Sequence, residues 1–155
     1  MKSLFKCKVC RHVCGVCAIK CTKKCKECCA TITQIKKRAW DAFSRWIRMS
    51  NADGFGMVTC YTCNNRMHWK EMHAGHGIPG RHNAVLFLEE IVKPQDPACN
   101  IFKGGNLAVF TRKLIAELGI EMYDKIVSNT RIPIKYTKED YLEVGKKYLQ
   151  KLEDL

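Results

Sequence analysis

Cys60-Tyr-Thr-Cys63, His68, His73-Ala74-Gly75-His76, Pro94-Gln95-Asp96-Pro97-Ala98-Cys99-Asn100 and Gly104-Gly105-Asn106 punctuate one stretch of 155 residues, and their order decides the fold. A cysteine pair comes first, then a histidine cluster, a connecting loop, a Cys-Asn pair and the head of an amphipathic segment. Cys60 and Cys63 have the C-x-x-C spacing of a knuckle that presents two thiolates to a tetrahedral zinc. Cys99 offers a third. Asp96 lies where a second C-x-x-C would put its first cysteine, and carboxylate binds zinc, so Cys60, Cys63, Asp96 and Cys99 form a coherent structural set. His68 is the competing fourth ligand.

Working outward, residues 31–49 are expected to be a helix, because Ile32, Ile35, Ala39, Ala42, Phe43, Trp46 and Ile47 recur at three- and four-residue spacing. Trp40 falls off that stripe and is expected to pack rather than to stack on a base. Asn51-Ala-Asp-Gly54 supplies turn chemistry. Residues 56–60 read as a strand entering the knuckle, and residues 67–73 as its return strand. Pro79-Gly80 and His82-Asn83 read as loop, and residues 84–88 as apolar, extended or buried. Pro94 and Pro97 are expected to exclude helix from the second knuckle. A helix from Asn106 to Leu118 follows, capped by Gly119. A shorter helix is expected over 121–127. Thr137 and Asp140 have capping-box spacing before a terminal helix marked by Tyr141, Leu142, Val144, Tyr148, Leu149 and Leu152. The expected class is therefore α+β, with a domain over 31–155 and an arm over 1–30.

The arm is unlike the rest. Residues 7–29 hold Cys7, Cys10, Cys14, Cys17, Cys21, Cys25, Cys28 and Cys29, eight of the eleven cysteines. Two C-x-x-C pairs would complete one tetrahedral zinc site, and the other four cysteines a second. The segment lacks hydrophobic periodicity, so metal is what would order it. Of the net charge of +12, residues 1–50 carry +11, from thirteen Lys/Arg against two acids. A cationic arm beside a near-neutral body points to a polyanion, nucleic acid before membrane surface. No apolar run has the length of a membrane span. The basic start meets cysteines before any apolar core of a signal peptide, so an intracellular location is expected. Odd cysteine numbers in such a compartment point to metal rather than disulfides.

The central order is also that of a ββα-metal, HNH-type nuclease, in which a hairpin carries a general base and a packed helix returns a metal ligand. Phosphodiester hydrolysis needs an activated water and a Lewis acid. His76 is the expected base, with small Ala74-Gly75 letting phosphate approach. His73, Asn100 and Asn106 are expected at the reacting centre, the asparagines offering amide oxygens to Mg2+ or Mn2+. His73 and His76 point to opposite faces of a regular strand, so sharing one ion requires a bend at Ala74-Gly75. Arg81, Lys103, Lys36, Lys37 and Arg38 are candidate phosphate contacts.

These residues resemble the NinG/Rap family of phage recombination proteins and, more distantly, the HNH endonucleases. The similarity covers roughly residues 38–155. It is strongest at Cys60-Tyr-Thr-Cys63, His68-Trp-Lys-Glu-Met, Ala74-Gly-His76-x-Ile-Pro79, His82-Asn83-Ala84, Cys99-Asn100 and Gly105-Asn106-Leu107. The resemblance implies an endonuclease that cuts branched DNA, Holliday junctions and D-loops, in the bacterial host cytoplasm, and a homodimer would suit cutting both strands. This chain departs from the family pattern at four positions. His73 stands where Asp is usual, Ile91 and Lys93 replace an Asn-x-His, and Asp96 replaces a cysteine. Ile91, Lys93 and Asp96 motivate a second expectation, a zinc-stabilised DNA-binding protein that does not cut. A third, metal sequestration by residues 7–29, fits poorly with the folded domain attached to them.

Overall fold

The computed structural model describes residues 30–80 and 82–155. Arg81 and the eight cysteines from Cys7 to Cys29 lie outside the described residues, as does the arm expected over 1–30 apart from Ala30. Ala30 belongs with the folded domain. It is buried, and its carbonyl accepts from Lys138 Nζ at 3.0 Å.

The described chain is mixed α and β. Helix α1 spans Ile32–Met49. Of its expected stripe, Ile35, Ala39, Ala42, Phe43 and Ile47 are buried and Trp46 is half-buried, whereas Ile32, in the first turn, is exposed. Thr31 and Gln34 cap it reciprocally, the Gln34 amide N–H donating to Thr31 Oγ1 and the Thr31 N–H to Gln34 Oε1. Strands β1 (Met57–Thr59) and β2 (Arg66–His68) form an antiparallel hairpin. Strands β3 (His73–His76) and β4 (Val92–Gln95) form a second. The helices α2 (Leu107–Leu118), α3 (Ile120–Asn129) and α4 (Lys138–Glu153) complete the chain.

Three expectations change in detail. The return strand expected over 67–73 divides, with residues 69–72 turning between β2 and β3. Residues 84–88 are not extended: Asn83–Val85 is a 3-10 turn, with Val85 and Leu86 buried. The second knuckle does contain a helical turn, a π-type turn over Ala98–Phe102. Proline lacks an N–H and is tolerated where a helix starts, so Pro97 at the N-cap ends nothing. Pro94 sits within β4, whose partner lies on one side only.

The core lies between α1, α4 and the second hairpin. Phe43 and Tyr148 meet edge to face at 4.8 Å between ring centroids. Gly145 lies over Ala39, which brings α4 close to α1. Phe110 and Leu114 carry α2 onto the turn after β3 and are fully buried. Each such side chain stabilises the fold by about 1.5–3 kcal/mol. At the head of α4, Thr137 and Asp140 make both bonds of the expected capping box. Gly119 ends α2 at φ +79°, a conformation open to glycine, and also starts α3.

Candidate functional site

A knuckle needs a chain that doubles back within a few residues. Here the Cys60 N–H donates to the Asn65 carbonyl at 2.7 Å and the Asn64 N–H to the Cys60 carbonyl at 3.0 Å. Asn64 takes φ +63°, which asparagine tolerates better than most side chains. The knuckle thus caps the β1–β2 hairpin. Opposite it, Asp96 follows β4 and Cys99 lies in the π-turn. One ligand atom from each of Cys60, Cys63, Asp96 and Cys99 falls within 4.8 Å of every other. Among the described residues this is the one group of three or more such side chains so placed. His68 is not in it: its ring lies against Trp69, and its Nδ1 accepts from the Lys70 N–H. Asp96 is therefore the fourth member.

The electrostatics of the cluster suit a cation. Asp96 Oδ1 accepts the Cys99 N–H at 2.7 Å, and Oδ2 accepts from Cys63 Sγ at 3.1 Å and Asn65 Nδ2 at 3.4 Å. Burial acts to raise the Asp96 pKa, and these bonds outweigh it, holding the carboxyl below its ordinary value. Burial likewise pushes the Cys60 thiol up. Backbone N–H groups aimed at the sulfur and the Thr62 hydroxyl overcome that and bring it down to about 7. Cys63 goes the other way, to about 12, through burial of its sulfur and the neighbouring Asp96, Cys60 and Cys99. With all four groups deprotonated, donors at this separation would repel one another, and a divalent cation would relieve that repulsion. Three thiolates and a carboxylate match the donor set of structural zinc. The cluster can hold such an ion, which would tie the first hairpin to the end of the second.

The histidines lie on β3. His73 pairs with Gln95 and His76 with Val92, so all four residues of the strand keep a regular register and no bend turns the two rings to one side. His73 and Asn100 are brought together, with Asn100 Nδ2 3.0 Å from His73 Nδ1. His76 stacks on Trp40, ring centroids 4.9 Å apart and planes at 15°, and its Nε2 is 3.2 Å from the Leu86 carbonyl. Trp40 thus packs, as expected, but against a residue of the candidate site. Asn106 opens α2 in the left-handed region without a side-chain cap bond. Asn100 lies earlier, in the π-turn.

The small residues before His76 serve packing. Gln95 is fully buried and lays its amide over Gly75, where a Cβ would come 2.8 Å from Gln95 Cδ. Its Nε2 donates to Thr62 Oγ1 at 3.1 Å and to the Gly105 carbonyl at 2.8 Å. The space expected for a phosphate above Gly75 is therefore filled by protein. Gly77 faces Phe110 in the same way, with a Cβ 2.6 Å from its ring. Sequence reading missed Gln95, since nothing marks a glutamine between two prolines as a buried link between the knuckle and the head of α2. It also missed Asn83, which accepts from Lys36 Nζ at 3.1 Å and donates to the Ile134 carbonyl at 2.9 Å.

The candidate phosphate contacts are dispersed in role. Lys36 is held by Asn83 and lies 5.7 Å from the Tyr141 ring centroid. Lys37 pairs with Asp41 at 2.6 Å on the exposed side of α1. Arg38 is exposed on the same helix and lines a groove of about 420 Å³ against α4. Lys103 is exposed in the turn before α2. At the departures from the family pattern, Ile91 is fully buried, and Lys93 pairs with Glu117 at 3.1 Å.

The fold and the cluster define a small α+β protein with a Cys3Asp cluster, able to hold a metal ion, joining two hairpins. Residues 31–155 match the family described as Bacteriophage Lambda NinG protein, and the chain belongs to that family. Protein ninG of Escherichia phage 933W and that of Enterobacteria phage VT2-Sa are each 31% identical over 120 residues, covering 77% of this chain and 57% of theirs. Protein ninG of Escherichia phage lambda is 30% identical over the same length, covering 77% and 56%. The chain thus spans a little over half the length of these curated relatives. No solved structure matches. Among the described residues, no helix is long and apolar enough to cross a membrane.

Proposed function

We propose that this chain is a phage recombination endonuclease with an HNH-like ββα-metal centre formed by β3, β4 and α2, acting on branched or single-strand-containing DNA. The observation that carries the reading is the His73–Asn100 contact at 3.0 Å, which joins the strand of the expected base to the turn leading into the helix. His76 is the general base. An Nε2–H donated to the Leu86 carbonyl selects the tautomer with its lone pair on Nδ1, and the Trp40 stack fixes the ring plane. His73 and Asn100 would hold the catalytic ion, which would supply Lewis acidity at the scissile phosphate; because His76 points to the other face of β3, this ion and this base serve one phosphate only if DNA binding bends the strand at Ala74-Gly75. An imidazole and an amide suit Mn2+ better than Mg2+. A site with so few protein donors leaves positions for phosphate oxygens and water. The zinc centre is structural, and the basic arm adds salt-dependent affinity for DNA. A homodimer would place two such centres on the strands of one junction.

Zinc-loaded protein should cut a labelled four-way junction in Mn2+, less in Mg2+ and not without a divalent ion. His76→Ala should lower the rate by about 100-fold or more while leaving junction binding intact. Cleavage unchanged in His76→Ala would remove that residue from the chemistry. A second reading, binding without cutting, is favoured by Ile91 and Lys93, which are given over to packing and to an ion pair at positions where the family carries Asn and His. It predicts tight junction binding and no turnover in any divalent ion.

A further inference from the structure

Two adjacent apolar side chains stand exposed on the π-turn before α2, beside the candidate site. Phe102 is 84% exposed and Ile101 is 58% exposed, immediately after Asn100, the partner of His73. The turn is firmly held. The Asn100 N–H donates to the Asp96 carbonyl, Lys103 N–H to Ala98, Gly105 N–H to Cys99 and Asn106 N–H to Lys103, all between 2.9 and 3.0 Å. Gln95 Nε2 holds the Gly105 carbonyl from below, and Cys99 belongs to the Cys3Asp cluster. A Phe held out to solvent on such a turn loses little freedom when it meets a partner. The next residue is a cation, Lys103. Lys103 is exposed like Phe102.

We propose that Phe102 is a stacking platform for an unpaired nucleobase, with Lys103 beside it on the adjoining phosphate. An aromatic face next to a cation binds single strands whatever their sequence, because every base has a π-face and every nucleotide a phosphate. An intact duplex hides its base faces, so the platform selects branch points, gaps and flaps. The assignment rests on the nuclease reading for its setting and names the DNA feature that brings substrate to the centre.

The test is fluorescence anisotropy of zinc-loaded full-length protein, without added Mg2+ or Mn2+, on a four-way junction, a gapped duplex and an intact duplex of equal length. Base–aromatic stacking is worth about 1–3 kcal/mol, so Phe102→Ala should weaken binding to the gapped duplex by roughly 5- to 150-fold. Intact duplex binding and the melting temperature should be unchanged, since the side chain packs against little. Phe102→Trp should restore binding. Equal weakening on both duplexes, or none on either, overturns the platform while leaving the nuclease reading standing. Wild-type protein that binds none of the three DNAs overturns both. Self-association of wild type that Phe102→Ala abolishes in sedimentation, with DNA binding unaltered, assigns the residue to a protein interface and overturns the proposal.

Discussion

Replacing Gly75 by alanine separates two uses of a small residue next to His76. Either the gap admits a phosphate, or it admits the Gln95 amide. A Cβ at Gly75 would come 2.8 Å from Gln95 Cδ and 3.0 Å from Cγ, and closer still to Oε1. Gln95 is fully buried and pinned in register opposite His73, so the amide must swing away or the strand must shift. Swinging away abandons Thr62 Oγ1 and the Gly105 carbonyl and leaves both short of a donor. One buried group left unsatisfied costs about 1–3 kcal/mol. Shifting the strand instead incurs overpacking strain of about 1–3 kcal/mol. These are alternative ways to relieve one overlap and the cheaper sets the cost, so the destabilisation should reach at most about 3 kcal/mol rather than their sum. For a domain of this size that lowers the melting temperature by at most roughly 10 °C. Gln95→Ala removes both the bonds and the obstacle. In that background Gly75→Ala should add less than about 1 kcal/mol, giving a coupling of up to about 2 kcal/mol in a double-mutant cycle. Urea unfolding of the zinc-loaded single and double variants measures it. An additive cycle would show that Gln95 is not what the glycine accommodates. Wild-type stability in Gly75→Ala together with lost DNA cleavage would return the position to phosphate approach.

Other consequences of the structure are equally direct. Asp96→Ala should reduce zinc retention by about 100-fold or more in chelator competition, while Asp96→Cys should raise it by completing four thiolates. Asn83→Ala should lower unfolding free energy by about 1–3 kcal/mol, because Lys36 and the Ile134 carbonyl lose their partner at the junction of α1 with the loop before α4. Glu89 is partly desolvated, which acts to raise its pKa, but the bonds from Lys151 Nζ at 2.6 Å and Tyr148 OH at 2.7 Å outweigh burial and lower it. A depressed carboxyl stabilises the fold above its unfolded pKa, and that contribution is lost as pH falls through the folded value. Glu89→Gln should therefore cost about 1 kcal/mol or less at pH 7 and flatten the fall in stability on the acid side, as read by urea midpoints across pH 3–7.

Much of this protein was legible along the chain. The three- and four-residue recurrence around Ile35 and Phe43 marked α1, and Thr137 with Asp140 marked the start of α4, because helix periodicity and capping are local properties. Cys60, Cys63 and Cys99, with Asp96 or His68 as the fourth donor, could be grouped from spacing and donor chemistry, since a knuckle fixes two ligands within four residues. Tertiary structure decided what distance in sequence conceals. It chose Asp96 over His68, because β4 brings Asp96 to the knuckle while His68 turns to Trp69. It gave Ala74-Gly75 to Gln95 and joined His73 to Asn100. It also set Trp40, off the apolar stripe, against His76. Each of those choices depends on which faces of separate elements meet, a property of packing that no run of neighbouring residues encodes.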